Sequence, residues 1–363
     1  MDRHFVPAGT LHHSIHTSDS LSQDPDQSTP LKVPNIASIT ATPSHHKQLI
    51  LDTDASITEI RRDYLHEYYV LVAPKRRDRP YDTGSHDHPL IETADSPRLE
   101  QQATILDIPS PTNTHWAVKV VENKFPALIL DNAKAYGKQE IVIDTPIANQ
   151  AFGELDADQI ALILEAYKQR STELLKQDHI KYVAVFRNDG YEAGASLAHA
   201  HSQIIALPLI PPDIAREAQA AQDYQTEHQK DPYDAIIRFE KSTNQRIIFE
   251  NEDWIAFCPY ASRWQMEAWV MPKANLQALE ECSTDQFASL APILKMLAKP
   301  LTDAQINYNL IIEQGIQPGH RLTLKFCGRN VVSPWGGLEV GTGMIINVIP
   351  PESAAKWYRT QAI

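Results

Sequence analysis

The chain is poor in cysteine, with only Cys258, Cys282 and Cys327 among its 363 residues. They are too far apart for a CxxC metal motif and too few for the disulfide framework of a small secreted domain. We therefore expect three small buried thiols in a reducing compartment.

Positive charge is also scarce, since 33 Lys and Arg residues stand against 46 Asp and Glu residues and the net charge is −13. This balance argues against a nucleic-acid backbone as the main partner, although a local basic pocket is enough to hold a small anion. No apolar run is as long as a membrane span, and the N-terminus lacks a charged-then-apolar signal pattern. The composition predicts a soluble cytoplasmic protein that binds neither nucleic acid nor membranes.

Residues 1–55 differ from the rest, because they are rich in Ser, Thr, Pro, Asp and His and show no sustained hydrophobic period. Such a stretch buries too little apolar surface to offset the entropy lost on ordering, so we predict a disordered polar tail. After Ile57 the pattern changes to short strands, which are predicted at Tyr68–Ala73, Trp116–Val121 and Glu140–Asp144.

Two long helices are predicted from caps and apolar spacing. Asp156 is a suitable N-cap with Gln159 three residues later, and Ser283 is a suitable N-cap for the second helix. The apolar faces are Ile160, Ile163, Leu164, Tyr167 and Leu174 in the first helix, and Phe287, Leu290, Leu294 and Leu297 in the second.

The pattern of the first half recurs in the second. Three matches carry this: Glu122-Asn123 with Glu250-Asn251 at a displacement of 128 residues, Asp158-Gln159 with Asp285-Gln286 at 127, and Tyr182 with Tyr308 at 126. Displacements that agree within two residues indicate a duplication. We predict an α+β fold of two related domains, residues 56–215 and 235–363, each a mostly antiparallel sheet with a long helix.

The strongest chemical signal is the run His199-Ala-His201-Ser-Gln203. Side chains alternate in a strand, so both imidazoles and the carboxamide are expected on one face. Upstream, Gly190 and Gly194 bracket a loop whose backbone N–H groups are expected to bind an anion.

These residue types suit phosphoryl chemistry. An imidazole is a nucleophile at neutral pH when a backbone carbonyl holds the proton on its other nitrogen. The Gln203 amide and the Ser196 hydroxyl can donate to phosphate oxygens without adding charge. Two other interpretations remain open at this point: a buried structural pair of histidines, and a zinc pair, because His-x-His on a strand is a common ligand spacing.

The segment Gly194–Gln203 resembles the His-x-His-x-Gln signature of the galactose-1-phosphate uridylyltransferases, and more closely that of their ADP-glucose phosphorylase relatives in the histidine-triad superfamily. The resemblance runs from about Glu59 to Trp357 and implies two histidine-triad-like domains. Further similar segments are Ala73–Pro80, Val121–Ala127 and Gly337–Gly343.

The resemblance implies that His201 attacks the α-phosphorus of a nucleotide sugar and releases a sugar 1-phosphate. A phosphate-bearing acceptor then takes the nucleotide, as in a UDP-glucose:hexose-1-phosphate uridylyltransferase, and a homodimer is expected. Inorganic phosphate as the acceptor would make the chain a phosphorylase instead. The implied site residues are Ser196, Gln203 and Asn188 at the phosphates, Arg76, Arg79, Asn123 and Lys124 near the nucleotide, Glu339 at the sugar, and His199 beside the nucleophile.

The sequence departs from the family at its metal ligands. The structural zinc of the family uses two cysteines, an upstream histidine and the first histidine of His-x-His. Here the matching positions fall in Asp95–Glu100, which has no cysteine, and at Ala148, so only His199 remains. The second His-x-His of the family reads His320-Arg-Leu322. We therefore expect no zinc and no other cofactor.

These losses leave two functions of other classes open. The chain would be a catalytically silent sensor if it bound nucleotide sugars without releasing sugar 1-phosphate. It would be a metal hydrolase if His199 and His201 were metal ligands, which requires a third ligand that the sequence does not offer near the pair. The base, the sugar and the acceptor are left open by the residues.

Overall fold

The computed structural model describes residues 58–62, 69–72, 102–111, 115–147, 150–195, 197, 199–329 and 336–361. The predicted tail at residues 1–55 lies outside the described residues. So do Arg76, Arg79, Ser196 and the positions matched to the zinc ligands in Asp95–Glu100 and at Ala148.

Ten of the described strands form one antiparallel sheet, and two more form a separate hairpin. The hairpin pairs β1 (Glu59–Arg62) with β2 (Tyr69–Val72). The strands of the large sheet are β3 (Thr104–Pro109), β4 (Trp116–Glu122), β5 (Lys138–Ile143), β6 (Tyr182–Asp189), β7 (His201–Leu207), β8 (Ile247–Glu250), β9 (Trp254–Phe257), β10 (Gln265–Pro272), β11 (Tyr308–Glu313) and β12 (Thr323–Gly328).

The strand order of the large sheet confirms the predicted duplication. It runs β3-β4-β5-β7-β6-β11-β12-β10-β9-β8, so each half has the same order when counted from its own edge. The halves, called here the first lobe (β3–β7) and the second lobe (β8–β12), meet where β6 pairs with β11. The α+β class is correct, while the exact domain boundaries stay a prediction.

Six helices are described: α1 (Ala157–Leu175), α2 (Pro212–His228), α3 (Pro232–Thr243), α4 (Thr284–Asp303), α5 (Gly337–Thr342) and α6 (Pro351–Gln361). α1 and α4 pack on the same face of the sheet through the apolar stripes that the sequence predicts, and α6 joins them there. Because 3.6-residue spacing collects these side chains on one side, the main core lies between the long helices and the sheet.

The two helix caps differ. Ser283 makes the predicted capping box, since its Oγ accepts from Gln286 N and Gln286 Oε1 accepts from Ser283 N. Asp156 makes no side-chain cap hydrogen bond. Gln159 instead donates to the carbonyl oxygens of Ala117 and Asp144, at 2.8 and 2.6 Å, so it ties α1 to the sheet.

The polar segment between the two predicted domains is helical. α2 and α3 cover the face of the second lobe opposite α4, where Ala221, Tyr233 and Ile237 pack on Ile255 and Phe257. Among the described residues, no helix is both long enough and apolar enough to span a membrane.

The burial of α4 in the main core should contribute strongly to stability. Leu297 is fully buried in the main core, so Leu297→Ala should lower the free energy of unfolding by about 2–5 kcal/mol, because it leaves a cavity. Leu175 is 40% exposed at the end of α1, and Leu175→Ala should change it by less than about 1 kcal/mol. Urea unfolding of both variants measures this, and equal losses would contradict the assigned core.

Candidate functional site

His201 and Gln203 lie on the same face of β7, opposite the long helices. Each is nearly buried, and β5 contributes Ile143 and Ile141 as their respective cross-strand neighbours. Ile141 and Ile143 form a small apolar cluster with Val121 beside the two polar side chains. The predicted pairing of His201 with Gln203 on one face is therefore present.

His199 departs from the predicted arrangement, because β7 begins at His201 and His199 precedes it at a bend. Its ring is held by a hydrogen bond from Nε2 to the carbonyl oxygen of Thr145, 2.7 Å away. A carbonyl can only accept, so Nε2 carries the proton. His199 thus anchors the turn before β7 instead of continuing the alternation of the strand.

The tautomer of His201 follows from the same logic. Its Nδ1 lies 2.8 Å from the carbonyl oxygen of His199 and donates to it. In the neutral ring the proton therefore sits on Nδ1, and Nε2 carries the lone pair. This is the nitrogen that a nucleophilic imidazole uses.

A second glutamine holds the Gln203 amide. Gln139, buried on β5, donates from Nε2 to Gln203 Oε1 at 2.8 Å and accepts from Ala127 N through its own Oε1 at 3.1 Å. Because Gln203 Oε1 accepts from Gln139, the orientation of the amide is fixed and its Nε2 remains a hydrogen-bond donor. Sequence reasoning missed Gln139, because a single Gln in an apolar strand carries no motif.

Asn123 lies next to this pair of glutamines. Its N–H donates to the Gln139 carbonyl oxygen at 3.2 Å, and its Oδ1 accepts from Phe125 N at 2.9 Å. This side-chain turn fixes the segment that the sequence singles out. Lys124 is exposed, and its backbone N–H donates to Gln102 Oε1.

The glycine loop before β7 requires both of its glycines. Gly190 and Gly194 have φ values of +87° and +89°, and a Cβ at Gly190 would lie 1.5 Å from Asn307 Oδ1. The predicted anion cradle is wrong for the N–H groups of Ala193, Gly194 and Ala195. These donate to Gly190 and Tyr191 carbonyl oxygens inside the loop, because the chain closes a short 3-10 turn there.

Asn188 sits under this loop at the end of β6. Its Nδ2 donates to the Gly194 carbonyl oxygen at 3.3 Å, and its Oδ1 accepts from Asn309 Nδ2 at 2.8 Å. Asn309 comes from β11 of the second lobe and also donates to the Ala193 carbonyl oxygen at 2.9 Å. Asn309 of the second lobe therefore supports the glycine loop through hydrogen bonds, a contribution that the sequence did not indicate.

Glu339 lies in α5 and has its contacts in its own segment. Its carboxylate accepts from the N–H groups of Gly336 at 2.9 Å and Ile346 at 3.2 Å. Backbone N–H donors, its own among them, lower the pKa of this carboxyl. Side chains around it are exposed and apolar, including Val340, Met344 and Ile346.

One group of three potential metal ligands occurs among the described residues, formed by Glu217 of α2 with Glu313 and His320 of the second lobe. Lys325 already binds this group, since its Nζ donates to Glu217 Oε2 at 2.9 Å and to Glu313 Oε2 at 2.7 Å. Burial works against ionisation of Glu313, but His320 and the Lys325 ammonium lower its pKa to about 2. The group does not include His199 or His201.

Comparison with known proteins identifies the family of the chain. The N-terminal domain of galactose-1-phosphate uridyl transferase matches residues 112–211, and its C-terminal domain matches residues 217–309. The chain belongs to the galactose-1-phosphate uridyl transferase family and is a nucleotidyltransferase.

Relatives of two activities are similar over most of the chain. ADP-glucose phosphorylase of Arabidopsis thaliana is 28% identical over 83% of this chain and 92% of its own length. Galactose-1-phosphate uridylyltransferase of Thermotoga maritima is 25% identical over 83% of this chain and 98% of its own. The crystal structure of the Arabidopsis phosphorylase with bound ADP-glucose superposes with a TM-score of 0.65 at 26% identity, covering 84% of this chain and 99% of that one.

The pair of glutamines generates a test. Gln139→Glu keeps an acceptor for Ala127 but removes the donor to Gln203, so the Gln203 amide should turn its oxygen toward the site. Turnover of nucleotide sugar should fall about tenfold or more, because the donor and the charge balance at the phosphate are both lost. Steady-state kinetics measures this. Glu122→Gln, an exposed change at the end of β4, is the control, and equal turnover in both variants would contradict the role of Gln139.

Proposed function

We propose that the chain transfers a nucleoside monophosphate from a nucleotide sugar to a phosphate-bearing acceptor through a nucleotidyl-histidine on His201. The observation that supports this most is the hydrogen bond from His201 Nδ1 to the His199 carbonyl oxygen, at 2.8 Å. It places the lone pair of the neutral ring on Nε2, on the face that also carries Gln203.

In the first step, His201 Nε2 attacks the α-phosphorus, and the bond from that phosphorus to the bridging oxygen breaks. Sugar 1-phosphate leaves with the electron pair. The ring becomes a cation, and its Nδ1–H still donates to the His199 carbonyl oxygen, which stabilises the positive charge. The Gln203 amide donates to a non-bridging oxygen as negative charge develops there.

In the second step, a phosphate oxygen of the acceptor attacks the same phosphorus and the P–N bond breaks. The lone pair returns to His201 Nε2, so the enzyme is regenerated. We propose a hexose 1-phosphate as the acceptor, as in a UDP-glucose:hexose-1-phosphate uridylyltransferase. Inorganic phosphate is the second candidate, because a similar protein of matching length is an ADP-glucose phosphorylase.

The remaining parts of the proposal concern assembly and location. We propose a homodimer, supported by the exposed apolar side chains around Glu339. A partner chain would cover this segment and bring Glu339 to a sugar.

We also propose that the protein is cytoplasmic, since its three cysteines are free and buried, as is usual in a reducing compartment.

The nucleophile is tested by mass spectrometry. Wild-type protein mixed with UDP-glucose or ADP-glucose should gain one acid-labile nucleotidyl mass and release a burst of glucose 1-phosphate. His201→Ala should lose the adduct and several orders of magnitude of turnover while still binding the nucleotide sugar. Adding galactose 1-phosphate or inorganic phosphate to the isolated adduct identifies the acceptor. A catalytically silent sensor would show neither adduct nor burst, and an adduct that persists in His201→Ala would exclude His201.

We further propose that the enzyme works without a bound metal ion. At the family's structural zinc site the residues do not fit, because only His199 remains by sequence and its Nε2 donates to Thr145. In the second lobe, His320 Nδ1 accepts from Ile316 N at 3.4 Å, so Nε2 carries the proton and has no lone pair for a metal. His320 Nε2 instead lies 3.6 Å from Glu313 Oε1.

Charge leads to the same conclusion for the second lobe. The Lys325 ammonium bridges the partly exposed Glu217 and the buried Glu313 and supplies the cation that balances the two carboxylates. Burial raises the pKa of the Glu217 carboxyl. A divalent ion would have to displace Lys325.

Elemental analysis of untagged protein should therefore find zinc, iron and manganese far below one equivalent, and chelation should leave the melting temperature unchanged. Lys325→Met should lower the melting temperature, because it leaves two carboxylates without their cation, and added zinc should restore part of the loss. Near-stoichiometric metal in the wild-type protein, together with unfolding on chelation, would contradict the proposal.

A further inference from the structure

A buried polar network lies directly behind His201, on the helix face of the first lobe. Arg187 forms an ion pair with Asp144, and both side chains are at most 3% exposed. Ser202 Oγ donates to Asp144 Oδ1 at 3.3 Å, and the Tyr167 hydroxyl of α1 hydrogen-bonds to Ser202. Arg187 Nε also donates to Asp189 Oδ2 at 3.2 Å. The network therefore links β6, β7 and the residue after β5 to the helix α1 beside the apolar core.

Stability alone does not account for these groups. Desolvation of a buried ion pair often cancels its attraction, and apolar residues of similar volume are frequently as stabilising. The duplicated second lobe shows that the fold itself has no need of them. Arg187 and Ser202 are opposite each other across β6 and β7, and Val142 lies opposite Ser202 on β5.

The equivalent set of cross-strand neighbours in the second lobe, on β10, β12 and β11, consists of apolar residues. There Ile312 on β11 lies opposite Leu324 on β12, and Val270 on β10 lies opposite Leu324. The neighbouring row, Leu310, Phe326 and Ala268, is apolar too. Leu294 of α4, 127 residues after Tyr167, is a buried apolar side chain in the same core.

The polar set occurs in the lobe that carries His201, and its contacts surround that residue. Asp144 N donates to the Ala200 carbonyl oxygen at 3.1 Å, and the Thr145 carbonyl oxygen accepts from His199 at 2.7 Å. The Asp144 carboxylate accepts from Ser202. Asp144 and Thr145 therefore hold the two residues before His201 and the one after it.

We propose that Asp144 and Arg187, acting through Ser202 and Tyr167, are positioning residues that fix the ring of His201 for attack on phosphorus. The proposal rests on the proposed role of His201. Arg187, on β6, holds the Asp144 carboxylate from the other side of β7, so Asp144 cannot turn away from Ser202. The carbonyl of His199 is then held where it sets the His201 tautomer, and a displacement of about 1 Å there would cost up to about 100-fold in rate.

Two variants break the network while keeping the Asp144–Arg187 pair intact: Ser202→Ala and Tyr167→Phe. Ser202→Ala should slow formation of the nucleotidyl adduct in single-turnover experiments by about 10- to 100-fold, with the Kd for the nucleotide sugar changed less than about threefold. Tyr167→Phe removes a hydroxyl that is one hydrogen bond further from His201 than Ser202, so it should have a smaller effect in the same direction. In both, nitrogen NMR of labelled His201 should show a mixture of tautomers where the wild-type ring has one.

The matched control is Arg170→Lys, which weakens another ion pair between α1 and β5. Arg170 binds both oxygens of the buried Glu140, at 2.8 and 2.9 Å, away from the contacts of His201. This variant should lose melting temperature but keep the adduct rate and the His201 tautomer.

Three outcomes decide the matter. A slower adduct step with a changed tautomer in Ser202→Ala, and not in Arg170→Lys, supports positioning. An unchanged rate and tautomer in Ser202→Ala overturns it, and so does a rate loss in Arg170→Lys equal to that in Ser202→Ala. The tautomer is read without turnover, so failure of the positioning role is distinguishable from failure of His201 as the nucleophile.

Discussion

The hydrogen bond from His201 to the carbonyl of its own neighbour His199 is the contact on which the proposed chemistry depends. It fixes which ring nitrogen carries the proton, and it requires the chain to bend just before β7. At this bend, His199 and Ala200 are hydrogen-bonded to Thr145 and Asp144, the two residues that follow β5. A regular strand through His199 would direct its carbonyl sideways into the sheet ladder, away from the His201 ring.

The two lobes use one scaffold for different purposes. In the first lobe, the sheet face away from the long helices carries His201 and Gln203. In the second, α2 and α3 cover that face, and a buried cation, Lys325, occupies a group of potential metal ligands. The second lobe still contributes to the site, since Asn309 supports the glycine loop from across the junction. In the proposed function, the first lobe is therefore the catalytic one and the second lobe supports it.

The sequence predicted the elements with strong periodicity and missed the contacts between them. Both long helices, the duplication and the His201–Gln203 pair followed from spacing. The helix α2 did not, because its buried stripe is short and weakly apolar, with Ile214, Ala218 and Ala221 among many polar residues. The match of Tyr182 with Tyr308 is off by one residue. Tyr308 faces the main core in β11, whereas in β6 the core-facing residues are Val183 and Val185, and Tyr182 is on the other face.

The missed site residues share a physical reason. Gln139, Asp144 and Arg187 act through partners 43 to 64 residues away in the chain, so no local pattern marks them. The predicted anion cradle is wrong for three backbone N–H groups, because the glycine loop donates them to its own carbonyl oxygens instead of leaving them for a ligand. Long-range hydrogen bonds of this kind become visible only when the sheet register is known.

Isotope exchange tests the central claim most directly. With a covalent nucleotidyl-histidine, the enzyme should move label from free glucose 1-phosphate into the nucleotide sugar with no second acceptor present, because the first step reverses alone. The exchange should be lost in His201→Ala. Exchange that appears only after the second acceptor is added would show direct transfer between bound substrates and would contradict the account.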